Sequence, residues 1–190
     1  MTTIERVLYA SIATKQALLE DAELLARIQS VVDLLVETYR NDGKVLFCGN
    51  GGSAGDAQHI AAELSGRFYL DRPPLYAEAL HVNSSYLTAV GNDYGYDEVF
   101  ARMVRAAARS GDVVVGLSTS GNSPNVLRAL AAAQDAGAKT VAFTGQSGGK
   151  MANAVDILLN VPSSDTPRIQ ECHITVGHII CELVEVELFG

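Results

Sequence analysis

Five short runs rich in β-branched residues, at 44–48, 77–82, 113–117, 140–143 and 157–161, punctuate this chain. Between most of them lie Ala-rich stretches with helical apolar spacing, at 54–64, 98–108 and 124–136, and 168–188 reads as a closing helix. Strands that alternate with helices must pair in parallel, because the chain crosses back over the sheet each time. The runs are nearly continuous in apolar residues, as strands covered on both faces require. The expected fold is therefore α/β: a doubly wound, five-stranded parallel sheet flanked by helices, with an N-terminal helical extension. Residues 4–41 read as helix throughout, with Leu24, Leu25, Ile28, Val31, Val32, Leu35 and Val36 forming one stripe until Asn41-Asp-Gly43 stops it. That stripe has no strand of its own to cover, so it either packs into the core or forms a subunit interface.

A chain of 190 residues, 48% hydrophobic, can bury a core without disulfides. No run approaches ~18 apolar residues, so no membrane span is expected, and the N-terminus has no basic, apolar signal pattern. Three cysteines without a C-x-x-C motif fit reduced thiols in a cytoplasm. The net charge of −8, without a basic patch, argues against nucleic acid and anionic membrane as partners. A small phosphorylated ligand stays open, since local N–H groups and hydroxyls can hold it.

Ligands of such sheets bind beyond the carboxyl ends of the strands. There the first strand enters Gly49-Asn50-Gly51-Gly52-Ser53, and the third enters Ser118-Thr119-Ser120-Gly121-Asn122-Ser123-Pro124. The first loop matches G-x-G-x-x-A but lacks the acid that a dinucleotide ribose needs after the second strand, where His81-Val82-Asn83 stands. It also lacks the Gly-Lys-Ser/Thr ending of a triphosphate loop. A Gly-rich turn opening a helix still offers amides to an oxyanion or a sugar hydroxyl. The second loop sets four hydroxyl side chains within six residues before a helix-starting Pro, a composition that can wrap a phosphate monoester without lysine.

His59 and Glu63, four apart, share a helix face and suit a common zinc ion. On the last helix, spacing favours Glu171 with His178, or His178 with Glu182. Cys172 and Cys181 point to opposite sides and His173 diverges from His178, so these three read as packing residues, as does Cys48.

Gly49-Asn-Gly-Gly-Ser53 followed by Ser118-Thr-Ser-Gly-Asn-Ser123 resembles the sugar isomerase (SIS) domain. The segments Asp56-Ala-Gln-His-Ile-Ala-Ala-Glu-Leu-Ser-Gly-Arg67, Gly91-Asn-Asp93, Thr144-Gly145 with Gly148-Gly-Lys-Met151, and Arg168-Ile-Gln-Glu171 through His178 resemble the phosphoheptose isomerases within it. The resemblance runs from residue 43 to the end. It implies N-terminal helices over 1–42 serving as an oligomer interface and an SIS domain over 43–190, together one structural domain. It implies a cytoplasmic homotetramer that converts sedoheptulose 7-phosphate, a ketose, into D-glycero-D-manno-heptose 7-phosphate, an aldose, as the first step toward nucleotide-activated heptose. Its zinc ligands, one ion per subunit, fall on His59, Glu63, Gln170 and His178. Gln170 and His178 lie about 12 Å apart along one helix. Glu63 is then the base at carbon and His178 the acid at oxygen. The enediolate formed between the two proton transfers draws on zinc polarising the carbonyl.

By the same resemblance, Ser118, Thr119, Ser120 and Ser123 grip the phosphate. Asn50, Gly51, Gly52, Ser53, Glu63, Asn92, Asp93 and Gln170 also meet the substrate. Gly91-Asn-Asp93 serves equally well as a turn, and Arg67 and Arg168 either add charge at the site or pair with acids. Metal-bound groups lose basicity, so either the bonds loosen on substrate binding or water shares the proton transfers. A different class of SIS protein, similar to the initiator-associating proteins of bacterial replication, binds a partner without catalysis. Those resemble this chain less at the helix carboxylate and the final histidine. Arabinose 5-phosphate isomerases usually carry an additional regulatory module.

Overall fold

A computed structural model describes all 190 residues. Its frame is a sheet of five parallel strands in the order β2-β1-β3-β4-β5, made of β1 (Val45–Gly49), β2 (Ala77–Ala79), β3 (Val113–Leu117), β4 (Lys139–Thr144) and β5 (Ile157–Asn160). From β1 the chain moves to one edge, and from β3 it builds toward the other, so the order reverses between β1 and β3. Their register sets Gly49 beside Leu117, which brings the loops after both strands to one crevice.

Alternation along the strands divides the interior into two cores. Val45, Phe47, Val113, Val115, Leu117, Val141 and Phe143 face one side, where α2 (Ala22–Arg40), α3 (Gly52–Ser65) and α7 (Thr166–Phe189) pack. Leu46, Cys48, Val114 and Ala142 face the other, under α4 (Ser84–Tyr94), α5 (Val99–Ala107) and α6 (Pro124–Asp135). The stripe on α2 is core except at Leu25, which is exposed: Leu24, Ile28, Val31, Val32, Leu35 and Val36 are all buried. By contrast α1 (Thr3–Glu20) leaves Ile4, Leu8, Tyr9, Ile12 and Leu19 in the open and buries only Leu18.

Three elements differ from the sequence expectation. The helix over 4–41 is two helices, because Asp21 leaves helical geometry (φ −86°, ψ 88°) and its carboxylate accepts from the Leu24 amide, ending α1 and capping α2. The second strand pairs only over Ala77–Ala79, since it is an edge strand with one neighbour. Residues 84–94 form α4, started by Asn83 accepting from Tyr86 N, so Asn92 and Asp93 sit in a last helical turn. No helix is long and apolar enough to cross a membrane.

All three cysteines are free and buried, and burial pushes the Cys48 and Cys181 thiols up to about 12. His173 is fully buried as well. One ring nitrogen, Nε2, faces the Thr144 carbonyl at 3.1 Å and donates to it, while Nδ1 has no partner. Burial lowers its pKa to about 4, against the opposing pull of that hydrogen bond. A base whose folded pKa lies below its unfolded value favours folding when neutral. Its stabilisation is complete above pH ~6.5 and is lost as pH falls toward 4, roughly 3 kcal/mol in all. In His173→Gln, which keeps a donor for Thr144, urea unfolding across pH 6.5 to 4 should show a shallower loss of stability than wild type. Equal slopes would remove the assignment.

Candidate active site

The crevice between β1 and β3 is walled by two helix starts. Gly51 caps α3 with no side-chain hydrogen bond, and Ser123 at the start of α6 makes none to its helix either. Both helices therefore turn the positive ends of their dipoles toward whatever binds there, although Pro124 leads α6 without an N–H and Val126 N is held by Asn125 Oδ1 at 2.9 Å. The Ser123 hydroxyl instead meets Ser118 Oγ at 2.9 Å, and Ser120 Oγ lies 3.5 Å from Ser118 Oγ while accepting from Asn122 N. Thr119 and Ser120 open onto a cavity of about 280 Å³ without a single hydrophobic lining residue. Its far wall is Gln146, Ser147, Ser163 and Ser164, from the loops after β4 and β5. The sequence reading passed over these four, because each stands in an ordinary-looking loop. Close backbone approach shapes this corner: Gly121 has φ +65°, and a Cβ there would strike the Gly148 carbonyl.

The side chain of Asn50 is engaged within the protein. It forms a reciprocal amide pair with the buried Asn125, 2.9 Å in each direction, and its Oδ1 also accepts from Tyr96 Oη at 3.2 Å. The pair ties the two loops together, and no motif singled out Asn125 or Tyr96. Ser53 is buried in the first turn of α3. At the exposed end of α4, Asn92 donates to Asp93 at 2.8 Å. Arg168 is committed elsewhere, bound to Glu171 and the Val7 carbonyl, whereas Arg67 is exposed.

Two turns into α3 the side chains change from neutral donors to metal-ligating groups. His59 Nε2 lies 3.0 Å from Glu63 Oε1 and 3.4 Å from His178 Nε2 of α7. The ligating atoms of all three lie within 4.8 Å of one another. A tetrahedral zinc ion with bonds near 2.0–2.1 Å separates its ligands by about 3.3 Å, so the spacing fits. The protons point the same way. His59 Nε2 cannot donate to Glu63 and to His178 at once, while a cation among the three satisfies every lone pair. Asp56, one turn before His59, has a buried oxygen with no partner, and burial raises its pKa against the pull of His59. Gln170 stands apart from this group. Its amide packs on Gly52, where any Cβ would come within 2.6 Å of Nε2, two helical turns before His59.

What brings α3 to α7 is the contact between the neighbours of the two histidines. A Cβ on Gly177 would lie 2.5 Å from Ile60 Cδ1, and both residues are buried.

These features define a protein of the SIS class: residues 10–145 match the family model described as SIS domain. The chain is 50% identical over 187 residues to a phosphoheptose isomerase of Clostridium acetobutylicum, spanning 98% of this chain and 95% of that one. It is 54% identical over 188 residues to a phosphoheptose isomerase of Mycobacterium tuberculosis, spanning 99% and 96%. The structure of phosphoheptose isomerase GmhA from Neisseria gonorrhoeae superposes with a TM-score of 0.90 at 46% identity, covering 97% of this chain and 100% of that one. The chain belongs to the phosphoheptose isomerase family.

Gly177→Ala tests the helix contact. Alanine gains about 1 kcal/mol of helix propensity over glycine, but pressing on Ile60 Cδ1 beside the narrow cavity that both residues line costs ~1–3 kcal/mol. A net loss of about 1 kcal/mol in urea unfolding is expected, with part recovered in Gly177→Ala/Ile60→Val. Simple additivity of the two substitutions would show that the contact is not tight.

Proposed function

We propose that the chain converts sedoheptulose 7-phosphate into D-glycero-D-manno-heptose 7-phosphate, with zinc held by His59, Glu63 and His178. The observation that carries this reading is the convergence of those three side chains beside a hydroxyl-lined crevice between two uncapped helix starts. Bound there, zinc supplies a Lewis acid for a carbonyl oxygen.

The residues of the chain do the rest. The reaction moves one proton from C1 to C2 and another from the C1 oxygen to the C2 oxygen, and both need a carrier. Glu63 takes the carbon proton and returns it, and His178 serves the oxygens. Ser118, Thr119, Ser120 and Ser123, at the positive end of α6, hold the phosphate. Gly51, Gly52 and Ser53 offer the opening of α3 to the sugar hydroxyls. Asn50 acts through its main chain, because its amide is committed to Asn125. Asn92, Asp93 and Gln170 complete the substrate contacts, and Gln170 would be the fourth ligand of a bound zinc ion. The open apolar face of α1 supports a homotetramer with residues 1–42 at its interface. The free, buried cysteines support a cytoplasmic enzyme.

The deciding experiment is an isomerase assay on sedoheptulose 7-phosphate, with and without chelator, beside Glu63→Gln and His178→Gln. Each substitution should lower kcat by ~10²–10⁴-fold in a folded protein, the usual worth of a positioned acid or base. Added zinc should restore a chelated sample. Full turnover in either variant overturns the mechanism. Ser120→Ala should raise KM at nearly constant kcat, since a phosphate grip acts alike in ground and transition states. A loss confined to kcat would contradict the phosphate assignment.

A further inference from the structure

Deeper in the same region lies an ion pair that the chemistry does not use. Arg72 Nε and Glu185 Oε1 are 3.1 Å apart, with both side chains 2% exposed. The pair joins three segments. Arg72 donates to the carbonyls of Glu63 at 3.0 Å and Leu64 at 2.8 Å in the last turn of α3, and to that of its C-cap Gly66 at 3.3 Å. It also reaches the Pro73 carbonyl at 3.0 Å. Glu185 accepts from three successive amides, Phe68 at 3.3 Å, Tyr69 at 2.7 Å and Leu70 at 3.1 Å. Burial pushes the Glu185 carboxyl up, but those amides and the Arg72 cation outweigh it and hold the group below the usual carboxylate range.

Burying two charges is costly, and a well-packed apolar pair often serves stability as well or better. What an apolar pair cannot do is fix three backbones by direction and distance. Arg72 grips the main chain of Glu63 itself. Glu185 stands seven residues after His178, hence two turns along the same face of α7. Between them, the segment carrying Phe68 is pinned so that its ring meets the His178 imidazole, centroids 5.6 Å apart.

We propose that Arg72 and Glu185 are positioning residues that set the distance and orientation of Glu63 and His178. This rests on the reading of His59, Glu63 and His178 as the reacting group. Outer-shell partners of a metal site typically govern affinity by ~10–100-fold, and a similar factor is expected here.

The test compares Glu185→Gln with Asp112→Asn. Asp112 is a buried carboxylate of the same kind, bound to Lys44 Nζ at 2.6 Å and to the Lys44 and Arg109 amides, but at the opposite end of the sheet. In metal-free protein, the His178 ring resonances should move in Glu185→Gln and stay in place in Asp112→Asn. Zinc affinity, read by chelator competition, and kcat should each fall ~10–100-fold in Glu185→Gln while KM holds. In Asp112→Asn only thermal stability should drop. If Glu185→Gln does not fold, Phe68→Ala should reproduce the His178 shift and the fall in kcat. Unmoved resonances, with affinity and kcat no lower than in Asp112→Asn, would overturn the proposal. Full turnover in Glu63→Gln, with the resonances still moving in Glu185→Gln, would sink the catalytic reading and leave the positioning role standing.

Discussion

Everything chemical in this molecule depends on how closely α3 and α7 approach. Gly177 gives up its side chain to Ile60, and the residues next to each, His178 and His59, meet as a result with Nε2 atoms 3.4 Å apart. A methyl group at that crossing would press on Ile60 Cδ1 and force either that side chain into the small apolar cavity both residues line or the helices apart. Helix separation and metal geometry are therefore one variable. An ångström of added distance would carry the imidazoles out of a common coordination sphere, which tolerates about ±0.2 Å.

The sheet supplies the second half of the site. Reversal of strand order between β1 and β3 lets two helices start at the same crevice, each without a side-chain cap. The hydroxyls that would cap them bond one another, as Ser118 does with Ser123. At α6 the first residue, Pro124, has no N–H and Val126 N is already held by Asn125 Oδ1, so the hydroxyls carry more of the grip on a phosphate. The amide pair of Asn50 and Asn125 holds the two loops in register, so the pocket is set before a ligand arrives.

Much of this was legible in the residues, and the remainder is instructive. Runs of β-branched residues, the two loops, and His59 with Glu63 follow from local pattern, because strand burial and helix spacing leave their period in the chain. The break at Asp21 did not show, since one aspartate in an amphipathic run reads as solvent-facing until its carboxylate is seen on Leu24 N. The helix at Ser84–Tyr94 was hidden by Gly91-Asn-Asp93, whose composition suits a turn. On α7, spacing alone paired His178 with Glu171 or Glu182. Its partners on the chemical side lie more than a hundred residues away on α3; the family resemblance named them, and the fold brings them within reach. The same holds for Arg72 and Glu185, 113 residues apart and of types that ordinarily face water.

The acidic character of the chain raises a question of electrostatics that these distances answer. A protein of net charge −8 binding a phosphate dianion works against its own field. At physiological salt the Debye length is about 8 Å, so carboxylates beyond that range are largely screened. A hydrogen bond to a charged group contributes ~1.5–3 kcal/mol, and a helix N-terminus adds ~0.3–2 kcal/mol. A handful of such contacts at bonding distance outweighs a screened remote charge. Neutral donors also carry a second advantage. A lysine in the crevice would pair with Glu63, whereas hydroxyls and amides hold the anion and leave the carboxylate unpaired for the roles proposed for it.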